Sequence, residues 1–181
     1  MRYFPRTVVL VVLFFAHSLM SAQNQTSPWK IEATGPDGNI KYDLKTGSVS
    51  AANGVKVTYK KGEPNAAEMT AQKALLHQNT GLVIASGNVV LRREGQTWKT
   101  EELEYNFKTK QIKATSFRGG NLKYYVKGED LQGAQTNGAF TARNVVYTLD
   151  DTPNPDYYIL AKRVEISPGE KIKFHGASLH V

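Results

Sequence analysis

The side chains able to do chemistry are few and scattered. There is no Cys, so the chain offers no thiol nucleophile, no thiolate metal ligand and no disulfide. His17 lies in an apolar N-terminal run, and His77, His175 and His180 have no metal-ligand spacing to one another. Asp150, Asp151 and Asp156 suggest a calcium loop, but Pro153 and Pro155 between them make a rigid turn the better reading. Glu101, Glu102 and Glu104 alternate along a strand-like stretch, so they read as a solvated face rather than a paired-carboxylate site. The GxSxG, HExxH, GxGxxG and phosphate-loop patterns are all absent. These residues predict a non-enzymatic protein without metal or cofactor.

Composition narrows the class. The chain has 181 residues, 40% hydrophobic content and a net charge of +7, with 15 Gly, 9 Tyr and 7 Phe. This suits one turn-rich all-β domain or one elongated stack of strands. Arg2 and Arg6 precede an almost wholly apolar run over residues 7–20, and Ser21 and Ala22 supply small residues before a polar stretch. Residues 1–22 read as a secretory signal peptide cut after Ala22; an uncleaved membrane anchor is the alternative. Residues 23–28 form a flexible leader, and 29–181 the folded domain. An exported basic protein with no Lys/Arg block longer than two favours anionic lipids or polyanionic surfaces over nucleic acid.

Period-two alternation dominates the chain after Trp29. The organising stretch, residues 69–107, holds strand-like runs at 69–76, 82–91 and 98–107, with turns at Asn79–Thr80–Gly81 and Glu94–Gly95. In 98–107, Leu103, Tyr105 and Phe107 share one face, and Trp98, Thr100, Glu102, Glu104 and Asn106 the other. Earlier runs cover 29–33, 39–44 and 55–59, and Asn53–Gly54 gives a two-residue hairpin signal. Later runs cover 112–117, 122–127, 140–149, 157–166 and 171–181. Turns are expected at 118–121 and 167–170, and a loop at 129–138.

Four segments repeat one form: MTAQKALL (69–76), WKTEELEY (98–105), FTARNVVY (140–147) and ILAKRVEI (159–166). Each carries a small residue at its third position: Ala71, Thr100, Ala142 and Ala161. No unit is large enough to bury its own apolar face, so neighbours must stack. The candidate inward face comprises Val55, Val57, Val89, Leu91, Leu103, Tyr105, Phe107, Leu122, Tyr124, Val126, Val145, Tyr147 and Leu149. It reads either as a filled core or as an open groove for acyl chains. The pattern alone leans to the core, while nine tyrosines suit a wet boundary. The C-terminal run 171–181 reads either as a free edge for strand addition or as a strand folded back on the body.

ASGNVVL (85–91), GQTWKTEELEYNFKTKQIKA (95–114) and YYILAKRVEISPGEKIKFHGASLHV (157–181) resemble the OstA-like (LptA-type) proteins of lipopolysaccharide transport. The resemblance covers residues 31–181. It implies an open, twisted antiparallel β-jellyroll whose inner apolar face shields the acyl chains of lipopolysaccharide or a related glycolipid in the periplasm. The implied partners are an inner-membrane LptC-like and an outer-membrane LptD-like jellyroll, joined through edge strands, with head-to-tail self-association also implied. The competing expectation is a cell-envelope module that joins partners through its edges and binds no lipid.

Overall fold

The structure, a computed structural model, describes residues 27–121, 123–133, 139–152, 154–167 and 171–181. The expected signal peptide, most of the leader, Leu122 and the 168–170 turn lie outside the described residues. Among the described residues there are thirteen strands and no helix. They are β1 (Trp29–Ala33), β2 (Asn39–Asp43), β3 (Ser48–Ala52), β4 (Val55–Tyr59), β5 (Ala67–Ala71), β6 (Lys73–His77), β7 (Leu82–Arg93), β8 (Gln96–Asn106), β9 (Ile112–Asn121), β10 (Tyr124–Gly133), β11 (Phe140–Thr148), β12 (Tyr158–Ser167) and β13 (Lys171–His180). Among the described residues all pairings are antiparallel, and the sheet stays open: β1 pairs only with β4, and β13 only with β12. This is the open, twisted all-β jellyroll.

A crease divides the sheet into two leaves. In β8 to β12 the buried positions change parity at a pair of exposed neighbours: Glu101–Glu102, Thr115–Ser116, Glu129–Asp130, Arg143–Asn144 and Lys162–Arg163. β7 keeps its parity through a bulge between Ser86 and Val89, and in β13 the exposed pair His175–Gly176 continues the line beside Arg163. The backbone turns left-handed along this line at Gly87, Asn88, Asp130, Asn144 and Gly176. A residue with positive φ bends a strand and re-aims the side chains beyond it. The same line breaks the N-terminal strands, where the Gly54 N–H donates to the Gln72 carbonyl (3.0 Å) and the Gln72 N–H to the Gly87 carbonyl (2.9 Å). Polar ties hold the crease: Thr100 Oγ1 donates to the Ser116 carbonyl (2.6 Å), and Asn144 Nδ2 to Glu129 Oε2 (2.8 Å).

Several sequence expectations change here. The run 69–76 is two strands, β5 and β6, split at Gln72. Asn53 and Gly54 do adopt positive φ, yet β3 and β4 do not pair; β3 joins β2 and β6, and β4 joins β1 and β5. Trp98 is buried on the same inner side as Leu103, because the parity change lies between them. Residues 118–121 and 129–133 are strand, held by β9–β10 and β10–β11 pairing, despite their glycines and polar side chains. Leu149 is exposed just beyond the end of β11.

The leaves face each other across the core. On the first leaf a cross-strand row runs Ile31, Val57, Met69, Leu91, Trp98, Gly119, Val126, Tyr147, Ile159, Leu179. On the second leaf Val49, Leu76, Val83, Tyr105 and Ile112 form a matching row. Aromatic contacts join the leaves: Trp98 meets Phe140 edge-on at 4.9 Å, and Tyr147 meets Phe174 at 5.3 Å. The Trp98 ring lies flat against Gly119, where a Cβ would come within 2.3 Å of it. A glycine opposite the tryptophan is what lets the ring fit inside the leaf.

Candidate functional site

The inner face is the candidate site. Val55, Val57, Val89, Leu91, Tyr124, Val126, Val145 and Tyr147 lie on the first leaf, and Leu103, Tyr105 and Phe107 on the second. All eleven point inward, and the inner rows bring them into one apolar lining. Sequence reasoning missed Trp98, Met69, Leu131, Phe140, Ile159, Phe174 and Leu179, which also face this interior. Their signal was the small residue followed three positions later by an apolar one, which marks a strand crossing the crease.

Packing is uneven along this lining. Towards β4–β8 it is closed: Val57, Met69 and Leu91 are 1% exposed. Phe107 is fully buried against Trp29, Tyr59 and Tyr105. Towards β13 it opens: Tyr124, Tyr147 and Ile159 are half-buried, and Leu179 is 70% exposed. Tyr124 and Tyr147 stack at 5.8 Å, and Gln96 Nε2 donates to the Tyr124 hydroxyl at 3.3 Å.

One charged group enters the closed end. Arg93 follows Leu91 on the inward side of β7 and is buried. Its Nη1 donates to the Tyr105 hydroxyl (2.9 Å) and to the Phe107 carbonyl (3.0 Å), which ties the first leaf to the second. Its Nε has no hydrogen-bond partner among the described residues and lies at an ion-pair distance of 3.5 Å from the Glu94 carboxylate. Glu94 is committed to Lys110, 2.6 Å away on the next turn, and that hydrogen bond holds its carboxyl below the usual range.

Burial raises the hydroxyl pKa of Tyr105, Tyr124 and Tyr147; at Tyr105 the Arg93 charge opposes the rise. A phenol with a raised folded-state pKa contributes stability that is fully present below its unfolded pKa, near 10, and is lost as pH rises through the folded value. Stability should therefore stay level in these groups through neutral pH and fall in strong alkali. Spectrophotometric tyrosinate titration beside circular dichroism checks this: a late-ionising class should appear only as the strand signal is lost. Early ionisation of every tyrosine with the fold intact would contradict the burial.

The remaining polar residues do not converge. His77 Nδ1 lies 2.9 Å from Ser48 Oγ, His175 Nε2 lies 3.3 Å from Glu165, and His180 stacks on Tyr158 at 4.7 Å. Asp151 is spent on Arg118 at 3.2 Å. Among the described residues no three His, Asp or Glu side chains gather in a metal-binding group. No protein-family model matches the chain, and no curated protein matches it either.

Proposed function

We propose that this protein is an exported, non-catalytic carrier that shields the acyl chains of lipopolysaccharide or a related glycolipid, in the manner of the OstA-like proteins it resembles in sequence. One observation carries the reading. The first leaf's inner apolar row runs unbroken from Ile31 to Leu179 and, among the described residues, ends uncovered on a strand whose outer edge is unpaired. An apolar row open at an edge can be continued by a second jellyroll adding a strand there, as bridging two membranes requires. Each methylene kept from water is worth about 0.8 kcal/mol, so acyl chains in transit need such a cover. In this reading the partners are LptC-like and LptD-like jellyrolls or further copies of the chain, and the place of action is the periplasm. No helix among the described residues is long and apolar enough to cross a membrane.

A second reading has its own support. The closed packing around Phe107 and Leu91 suits a scaffold that joins envelope partners by its edges and binds no lipid. Photo-crosslinking in cells separates the two. With the reactive group at inward Leu103 and Tyr124, lipopolysaccharide adducts are expected; outward Glu102 and Lys123 should give none. Adducts at neither inward position, in a folded and exported protein, would leave the scaffold as the better account.

A further inference from the structure

The two outer faces of the jellyroll differ in charge. On the first leaf, an outward row runs Val90, Lys99, Arg118, Lys127, Val146, Leu160 on consecutive strands. Three cations therefore stand directly beside one another, and like charges in register oppose sheet formation. Arg118 has Asp151 at 3.2 Å, but Lys99 and Lys127 have no ion-pair partner among the described residues. Glu101 and Glu129 line the same trough as these lysines but sit in the crease, where Glu101 accepts from the Asn88 N–H and Glu129 from Asn144. On the second leaf the outward positions are instead acidic or mixed, with Glu102 opposite Ser86 and Glu104 opposite Lys113.

Apolar groups border the cationic row. Leu160, on the row itself, is 41% exposed, and the half-buried Tyr125 lines a cleft with Arg118 and Lys127. Lys127 and Val146 line both a trough of about 560 Å³, shared with Lys99, and a cleft of about 140 Å³, shared with Arg118. Lys99 and Lys127 are two strand spacings apart, about 10 Å.

We propose that the outer face of the first leaf docks on an anionic lipid surface. A repeating array of phosphates would relieve the repulsion along the row, whereas one small anion would meet only part of it. Leu160 and Tyr125 beside the cations suit the boundary between headgroups and acyl chains. This contact is separate from the inner apolar face and does not depend on what that face carries.

The test is co-sedimentation of the full chain with phosphatidylcholine vesicles, with and without phosphatidylglycerol, at low and high salt. Phosphatidylglycerol is expected to add binding beyond that to neutral vesicles, and high salt should remove the added part. The neutral vesicles also register any contribution from the apolar N-terminal run. The Lys99→Gln/Lys127→Gln protein should bind about 25-fold more weakly, taking about fivefold per basic side chain. Leu160→Ser should weaken binding a few-fold. The control removes two exposed cations from the other leaf's outer face, Lys73→Gln/Lys113→Gln, which have no ion-pair partner among the described residues although Lys113 stands opposite Glu104, and should bind as wild type does. Equal loss in the control, equal binding to neutral vesicles, or no vesicle binding would each overturn the proposal. Circular dichroism of both double variants confirms that the sheet is retained.

Discussion

Replacing Phe107 with alanine should lower the unfolding free energy by about 3–5 kcal/mol, the range for truncating a buried aromatic side chain. Phe107 is wholly inaccessible and touches three rings: Trp29 at 5.3 Å, Tyr59 at 5.8 Å and Tyr105 at 4.9 Å. These rings come from β1, β4 and β8, so a cavity there loosens both leaves at once. Its backbone bonds to Gly81 and Arg93 survive the substitution, so the loss reports the ring alone. The Leu149→Ala protein is the matched control: that side chain is 68% exposed and its loss should cost less than about 0.5 kcal/mol. Urea unfolding of the three proteins gives the comparison. A Phe107→Ala cost below about 1 kcal/mol would mean that the ring faces a wet or adaptable space, and the closed end of the jellyroll would have to be redrawn.

Alternation along 82–91, 98–107 and 140–149 was enough to find the strands, the all-β class and the inward side of most core residues. The crease was not legible by period-two reasoning, because it consists of places where that period slips by one. WKTEELEY shows the difficulty. Counting alternate residues from Leu103 puts Trp98 outside, whereas the exposed pair Glu101–Glu102 returns it to the core. Yet the signal was present in the repeat. Ala71 with Ala74, Thr100 with Leu103, Ala142 with Val145 and Ala161 with Val164 each bracket two polar residues at one crossing of the crease. Asn53–Gly54 teaches a related lesson. Turn chemistry is local and gave the left-handed backbone correctly, but the partner of each flanking strand is chosen by distant residues. The inward positions at β12 and β13 were harder still, since Ile159 and Leu179 are apolar residues whose burial stops part-way across the sheet.

Arg93→Met should cost about 2–4 kcal/mol, although methionine nearly matches the arginine stem in length. The substitution leaves the Tyr105 hydroxyl and the Phe107 carbonyl without their donor in a buried setting, and an abandoned buried polar group costs more than a hydrogen bond gains. Tyr105→Phe removes one of those stranded groups. The double variant should therefore lose less than the two single losses combined, by about 1 kcal/mol. Strict additivity in denaturant melts of the four proteins would show that Arg93 and Tyr105 do not bridge the leaves in solution. The Glu94–Lys110 pair beside them should matter little, because both side chains are nearly half-exposed and such pairs are worth at most about 1 kcal/mol. Its contribution is present above the ordinary carboxylate range and fades as pH falls through the lowered Glu94 value. The bridge also bears on the carrier reading. If the leaves must part for an acyl chain to reach Leu103, Arg93→Met raises lipid crosslinking there while it lowers stability. A fall in both would show that the variant damages the fold without opening a path.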